Sequence, residues 1–346
     1  MTNCMHVNGD LARIISRQAI AIRNWLAKEG FVEIFPPHLT RVKKRPFVPT
    51  FEVSSPELNF EGALRVSANY FLAETVSQVS RAYSITPTFR AEQDTRPSAL
   101  TEFQLGEVWR EGNFDDLLTF SENLLSNARS ALLDESSPVS LAQARLLEKI
   151  NFPLPRVTYE EAIKRVGGEF GETFTPHQEL ALMRTFGSTP IFITHFPPEF
   201  DTCFSDMRQD SNKRMLGFEL RSPLGGELMS GGELETDRQT LLDQFQHSRF
   251  LKELIKLGGS EEQLVPYVNA ISRLVTPHFR MAFGFERLTQ FLLRAKRIED
   301  ASLFPVRVRT QEQAARDGII IVVVGGGTII IIDSIVVVVP DDPEPV

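Results

Sequence analysis

Three short stretches hold most of the residues that could handle a phosphate-bearing ligand. The first is TFRAE, Thr88 to Glu92. Arg90 and Glu92 stand two apart in a strand-like run, so both side chains point the same way. That pairs a guanidinium able to meet phosphate with a carboxylate able to accept from an amine. A few residues on, in ALTEFQLGE, Glu102, Gln104 and Gly106 share one strand face and Phe103 and Leu105 the other. The Phe103 ring is a surface on which a base can stack. The second stretch is GFELRSPLGGELMSGGE, residues 217–233, in which Glu219 and Glu227 flank a Pro-Leu-Gly-Gly turn. Two carboxylates brought together repel unless a cation lies between them, and oxygen ligands shared with phosphate are what magnesium prefers. Ser230, Gly231 and Gly232 follow and leave room for close approach of a substrate. The third is TPHFRMAFGFERLTQFLL, residues 276–293, in which Gly284 precedes a helix opening with Glu286 and Arg287. There a guanidinium and free backbone N–H groups can share an anion. Taken singly, these stretches also read as a surface ion pair, a solvated glycine-rich hairpin and a structural arginine. Their order and spacing together are more specific.

The elements that must position them follow from pattern. Leu11, Ile14, Ile15, Ile22, Trp25 and Leu26 recur three and four apart, which predicts an amphipathic helix over 11–28 with Asp10 as N-cap and Gly30 as stop. GFVEIFPPHLT (30–40) reads as a strand ended by prolines. A helix is expected over 69–81, strands near 83–91 and 100–109, and helices over 117–134 and 237–257. Paired strands are expected over 214–234, and a strand near 279–285 running into a helix over 286–296. Mostly antiparallel strands with helices packed on one side make the fold class α+β.

Composition narrows the function classes. A 42% hydrophobic and 24% charged chain of 346 residues can bury a core without disulfide support. The two cysteines, Cys4 and Cys203, lie far apart, so no disulfide framework is expected, and a reducing, cytoplasmic setting fits. The six histidines are not at metal-ligand spacing, which argues against structural zinc. A net charge of −8 argues against broad, non-specific nucleic-acid binding, though not against a local basic groove. The start of the chain lacks the pattern of a signal peptide. From about residue 310 the composition changes to GIIIVVVGGGTIIIIDSIVVVVPDDPEPV. Its apolar stretch, 319–339, is about long enough to cross a bilayer. Three consecutive glycines, Asp333 and the β-branched residues suit an irregular or strand-forming tail better. The working division is therefore 1–309 as the catalytic unit and 310–346 as a tail, with no membrane partner.

Together these motifs resemble the catalytic domain of class II aminoacyl-tRNA synthetases, over roughly residues 11–309. GFVEIFPP resembles the family's first motif, with Pro37 at its proline; TFRAE followed by LTEF resembles the second; AFGFERL resembles the third. LRVSANYFLAET (64–75), TPH (276–278) and ELRSPLGGELMSGG resemble segments of the asparaginyl enzymes, the last matching their D-V-L-x-P-x-x-G-E-I-x-G-G. The resemblance implies ATP and Mg2+ as cofactors. It implies that Arg90 holds the α-phosphate, Phe103 stacks on adenine, Arg287 holds the γ-phosphate beside Gly284, and Glu92 helps place nucleotide or substrate. Glu219 and Glu227, with Ser230, would bind magnesium. Ser67, Glu107, Gly231, Gly232 and Glu233 would line the substrate pocket. It also implies a homodimer through the first motif, and contact with the acceptor end of a tRNA.

Departures from the pattern cluster at the substrate. Where the asparaginyl and aspartyl enzymes carry Gln-Arg, and use the arginine on the substrate side chain, this chain has Glu233 and Leu234. Pro97, Ser98 and Ala99 replace a basic second-motif loop, Trp109 a glutamate, Arg280 and Ala282 two glycines, and Glu299 an arginine. A pocket that loses a side-chain hydrogen-bond donor discriminates strongly against its former substrate. The chain opens at the helix before the first motif, so an anticodon-reading OB-fold is not expected within it. Arg41, Lys43, Lys44 and Arg45 form the one dense basic run, either a solvated loop or a contact for an acceptor stem or anionic substrate. Three functions stay open: asparaginyl-tRNA-synthetase-like activation with transfer to tRNA; amide ligation on a small molecule, as in the asparagine synthetases of this fold; and a weakened paralogue acting as a dimeric binding protein.

Overall fold

The first helix shows how the local chemistry sets boundaries. It runs over Gly9–Lys28 (α1), and the Asn8 side chain, rather than that of Asp10, accepts from the N–H groups of Asp10 and Leu11. Asp10 instead lies in the first turn, where its charge suits the helix dipole. Gly30 ends the helix at φ 79°, a conformation that favours glycine. The computed structural model describes residues 8–42, 45–92, 98–187, 189–198 and 205–307, and the backbone of three strands between 321 and 340. Expectations placed on Cys4, Cys203, Lys43, Lys44 and Pro97 lie outside the described residues.

After α1 come β1 (Val32–Glu33), β2 (Leu39–Thr40), β3 (Glu52–Ser55), β4 (Phe60–Leu64), α2 (Asn69–Val79), β5 (Arg81–Phe89), β6 (Glu102–Glu111) and α3 (Phe114–Leu133). Then follow α4 (Leu141–Glu148), β7 (Arg156–Thr158), α5 (Tyr159–Arg165), α6 (Pro176–Thr185), β8 (Ile191–Phe196), β9 (Met215–Ser222) and β10 (Gly226–Glu233). Before the tail the chain continues with α7 (Arg238–His247), α8 (Arg249–Lys256), α9 (Val265–Ile271), β11 (His278–Gly284) and α10 (Phe285–Leu293).

The main sheet has eight strands in the order β1-β5-β6-β11-β10-β9-β8-β7. Only its two edge pairings, β1 with β5 and β7 with β8, are parallel. The fold is α+β, as the pattern predicts. GFVEIFPPHLT is not one strand. Consecutive prolines cannot donate ladder hydrogen bonds, so the run splits into β1, on the main sheet, and β2, which joins β3 and β4. The helix expected over 237–257 breaks at Ser248, whose extended backbone (ψ 152°) and hydroxyl start α8.

The helices are not confined to one side. α1, α3 and α10 pack on one face of the sheet around Ile85, Val108, Phe218, Met281 and Phe283. On the other face α2, α7, α8 and α9 pack around Leu72, Trp109, Leu234 and Val268. The segment 135–213, in which the sequence suggested no element, holds a third core built on Tyr159, Ile163, Leu182 and Ile193 and extends the sheet through β7 and β8. In the tail, β12 (Ile321–Val324), β13 (Gly327–Ile332) and β14 (Ile335–Pro340) form an antiparallel sheet of their own. Strand formation there follows the β-branched composition. Among the described residues no helix is long and apolar enough to cross a membrane.

Candidate active site

Strand register assembles the site. On the sheet face away from α3, Ser84, Glu107, Ala282, Ser230 and Glu219 form one row across β5, β6, β11, β10 and β9. One step along, Trp109, Arg280 and Gly232 form the next. In the other direction lie Leu105 and Gly284, then Phe103.

At the Phe103 end, Arg90, Glu92, Ser98, Phe103, Glu227, Ser230, Gly284, Glu286 and Arg287 line one cavity, so stretches nearly 200 residues apart in sequence meet as the motifs predict. β5 stops at Phe89, and Arg90 is fixed just beyond it by its N–H donating to Thr101 O at 2.9 Å. Its guanidinium lies 4.0 Å from a Glu92 oxygen and 5.3 Å from the Phe103 ring centroid, on the surface expected to receive a base. Arg90 Nε is buried and has no hydrogen-bond partner among the described residues, a donor an anion would satisfy. Arg287 leaves the first turn of α10, whose N-cap Gly284 offers no capping side chain. Its Nε donates to Ser98 O at 2.8 Å and Nη1 to Glu227 O at 3.3 Å. Ser98, in the second-motif loop, thus acts through its backbone.

Burial and charge tune the carboxyls here. Burial works against a charge on Glu227, but Arg287, Arg221, the Ser230 hydroxyl and Arg90 outweigh it and hold the pKa below the ordinary range. Glu219 goes the other way, raised by burial and by Glu227 against the pull of Arg221. Glu286, buried and accepting from the Gln104 N–H at 3.0 and 3.1 Å, is pushed up from 4.5 to about 7, chiefly by burial.

The neighbouring part of the face, where the substrate acid is expected, is occupied by the chain's own side chains. Glu107 is 1% exposed and locked by the Ser67 hydroxyl at 2.5 Å and the Ala68 N–H at 2.6 Å. Arg280 donates through Nε and Nη2 to the two oxygens of buried Asp206, both at 2.7 Å, and the Tyr267 hydroxyl donates to the same carboxylate at 2.5 Å. Arg45, from the basic run, is drawn in close to Arg90, Glu107, Arg280 and Tyr267, and its pKa is lowered by burial and then by Arg90.

Three expected substrate residues need correction. Glu233 is on the α3 face: its carboxylate accepts from the Phe114 N–H in the first turn of α3 at 2.9 Å and pairs with Arg208 at 2.7 Å. Strand alternation requires this, since Glu233 lies one residue past Gly232. Gly231 also faces α3, and a Cβ there would lie 2.3 Å from Arg280 O, so its lack of a side chain admits β11 and not a ligand. Gly232 does face the site, but the Met207 sulfur lies 2.1 Å from where its Cβ would be. Leu234 is buried in the α2–α9 core, so no guanidinium enters the pocket from that position.

The magnesium set also changes. Glu219 and Glu227 face the same region, but the Arg221 guanidinium donates to Glu219 at 2.7 Å and to Glu179 of α6 at 2.7 Å. Among the described residues no three acidic, histidine or cysteine side chains are arranged to hold a metal ion. With its carboxylate taken up by Arg221, Glu219 does not fit the ligand role expected of it, while Glu227 and Ser230 line the cavity. The sequence signal for this was an arginine two residues from Glu219 on the same strand face. Asp206 and Tyr267 gave no signal, because only the fold brings them to Arg280.

The family model described as tRNA synthetases class II (D, K and N) matches residues 7–308. The asparagine–tRNA ligase of Pyrococcus furiosus is 27% identical over 300 residues, covering 83% of this chain and 65% of that protein. That of Pyrococcus horikoshii is 28% identical over 300 residues, with 83% and 65% covered. The chain thus spans slightly less than two thirds of the length of these relatives. The crystal structure of asparaginyl-tRNA synthetase from Pyrococcus horikoshii complexed with asparaginyl-adenylate superposes with a TM-score of 0.73 at 24% identity, over 87% of this chain and 70% of that one, and so shares its fold. Matched over nearly all of its length outside the tail, the chain belongs to the class II tRNA synthetase family (D, K and N).

Proposed function

We propose that residues 1–309 activate an amino-acid carboxylate with ATP, as asparaginyl-tRNA synthetases do, and that the resulting adenylate passes its acyl group to the 3′ end of a tRNA. What carries this reading is the meeting of Arg90, Glu92 and Phe103 with Gly284, Arg287 and Glu227 around one cavity. The substrate carboxylate attacks the α-phosphorus, and the bond to the leaving pyrophosphate breaks. Arg90, whose Nε has no partner among the described residues, takes up charge growing on the α-phosphate. Arg287 holds the far phosphate, and the adenine takes the Phe103 face as Arg90 moves off it. No bond to the protein forms, so catalysis rests on positioning and charge stabilisation. Magnesium, when it arrives with ATP, supplies counter-charge to the triphosphate. Every step assigned to the chain stands on its own side chains.

A homodimer fits the first-motif region. Val32 on the short edge strand β1, Phe35 (77% exposed) and Leu39 present apolar surface that a second copy would cover. A second reading, in which an amine rather than a tRNA hydroxyl attacks the adenylate, is favoured by the filled acid end, where Leu234 and the Arg280–Asp206–Tyr267 cluster replace an open pocket. ATP–pyrophosphate exchange across candidate acids tests both. Exchange with asparagine supports the first reading. Exchange with another acid, yielding an amide with ammonia, supports the second. No exchange with any acid, together with no ATP binding, would remove both.

A further inference from the structure

The family pattern D-V-L-x-P-x-x-G-E has an aspartate where this chain has Glu219 and a leucine where it has Arg221. Two changes therefore fall on one strand face: the acid is longer by one methylene, and a guanidinium stands two residues away, pointing the same way. Register places Arg221 directly across from Glu227. Its Nε donates to Glu219 and its Nη1 to Glu179, each at 2.7 Å, and its side chain is only 17% exposed. A planar fork held by two carboxylates is a low-mobility arrangement. Glu179 comes from α6, so the packing of that helix also holds the guanidinium in place. The acidic groups thus already have their counter-charge, and among the described residues no three such groups are arranged to hold a metal ion.

We infer that Arg221 takes the place of a protein-held divalent cation between Glu219 and Glu227. The site then draws a metal only as the counter-ion of the nucleotide, through phosphate oxygens and Glu227, with Glu219 outside the ligand set. The inference rests on the reading of this cavity as a nucleotide site. It explains why an acidic pair persists with an arginine in its midst: the guanidinium does permanently what a metal would do on binding.

The test is a Mn2+ titration of the full 346-residue chain, following free Mn2+ by electron paramagnetic resonance, with and without the non-hydrolysable ATP analogue AMPPCP. Without nucleotide, the natural chain should hold little Mn2+, and Arg221→Leu should bind it at least about tenfold more tightly, since a close positive charge is removed from three carboxylates. With AMPPCP, Glu219→Gln should bind Mn2+ as the natural chain does, whereas Glu227→Gln should weaken it. Tight nucleotide-free Mn2+ binding by the natural chain, or weakening by Glu219→Gln, would overturn the inference. The Glu219→Gln comparison stands even if Arg221→Leu does not fold. Should calorimetry detect no AMPPCP binding, the nucleotide reading fails separately, and the nucleotide-free titration still decides the role of Arg221.

Discussion

The two ends of the site have been treated differently. At the Phe103 end, residues from distant stretches converge, and a buried arginine donor has no partner among the described residues. At the Arg280 end, almost every polar group is already engaged: Glu107 by Ser67 and Ala68, and Asp206 by Arg280 and Tyr267, while Met207 covers Gly232. A buried polar group without a partner is costly, and a ligand repays that cost by supplying one. A closed network gains nothing from a ligand that must break it. The contrast separates an end that, among the described residues, keeps an unpartnered buried donor beside the motif residues from an end whose polar groups are paired with one another.

The largest expected effect breaks the closed end. Asp206→Ala removes the carboxylate that Arg280 and Tyr267 share, breaking a buried ion pair, and should destabilise the chain by roughly 3–5 kcal/mol in chemical denaturation. Adding Arg280→Leu should recover part of that loss, because an apolar replacement of a buried pair can be close to neutral. An unchanged midpoint in the single variant would mean that the cluster is solvated and the acid end open. Next comes the open end. Arg90→Ala should slow pyrophosphate exchange by roughly 10²–10³-fold, about 3–4 kcal/mol, with the unfolding midpoint retained. A parallel loss of stability would make Arg90 a structural residue.

Glu286 sharpens the comparison through pH. Its folded pKa, about 7, lies above the ordinary 4.5, so the folded state holds the proton more tightly. The stability this gives is complete below pH 4.5 and is lost as pH rises through about 7, a swing of about 3 kcal/mol. Glu286→Gln keeps an acceptor for the Gln104 N–H and should flatten the stability profile across that window. A profile unchanged by the substitution would place the titrating group elsewhere. The smallest effect concerns Glu233. Glu233→Ala removes the carboxylate that accepts from the Phe114 N–H at the start of α3 and should cost about 1–2 kcal/mol of stability while leaving ATP affinity as it was. A specific loss of ATP or acid binding would return Glu233 to the pocket.

Much of this architecture was legible in the residues. The hairpin of β5 and β6, the paired strands β9 and β10, and the β11–α10 unit came from period-2 and period-3.6 patterning, and these elements carry Arg90, Phe103, Glu227 and Arg287. What was not legible depends on which face a residue takes or on partners brought from afar. Glu233 was misplaced because a Gly-Gly-Glu run does not reveal its own phase; only the pairing of Gly232 with Arg280 and Gly217 fixes it. Asp206 and Glu179 belong to or border a segment whose short helices and strands give weak periodicity, yet they determine what Arg280 and Arg221 can do. The split of α7 from α8 turns on one serine, which both ends the first helix and caps the second.

The central claim is that Arg90 and Arg287 serve one triphosphate, and calorimetric titration with AMPPCP of the natural chain, Arg90→Ala and Arg287→Ala tests it most directly. The account predicts one molecule bound per chain, with affinity reduced at least about tenfold in each variant, consistent with loss of a charge-assisted contact. Equal affinity in all three proteins, or no binding by the natural chain, would contradict it.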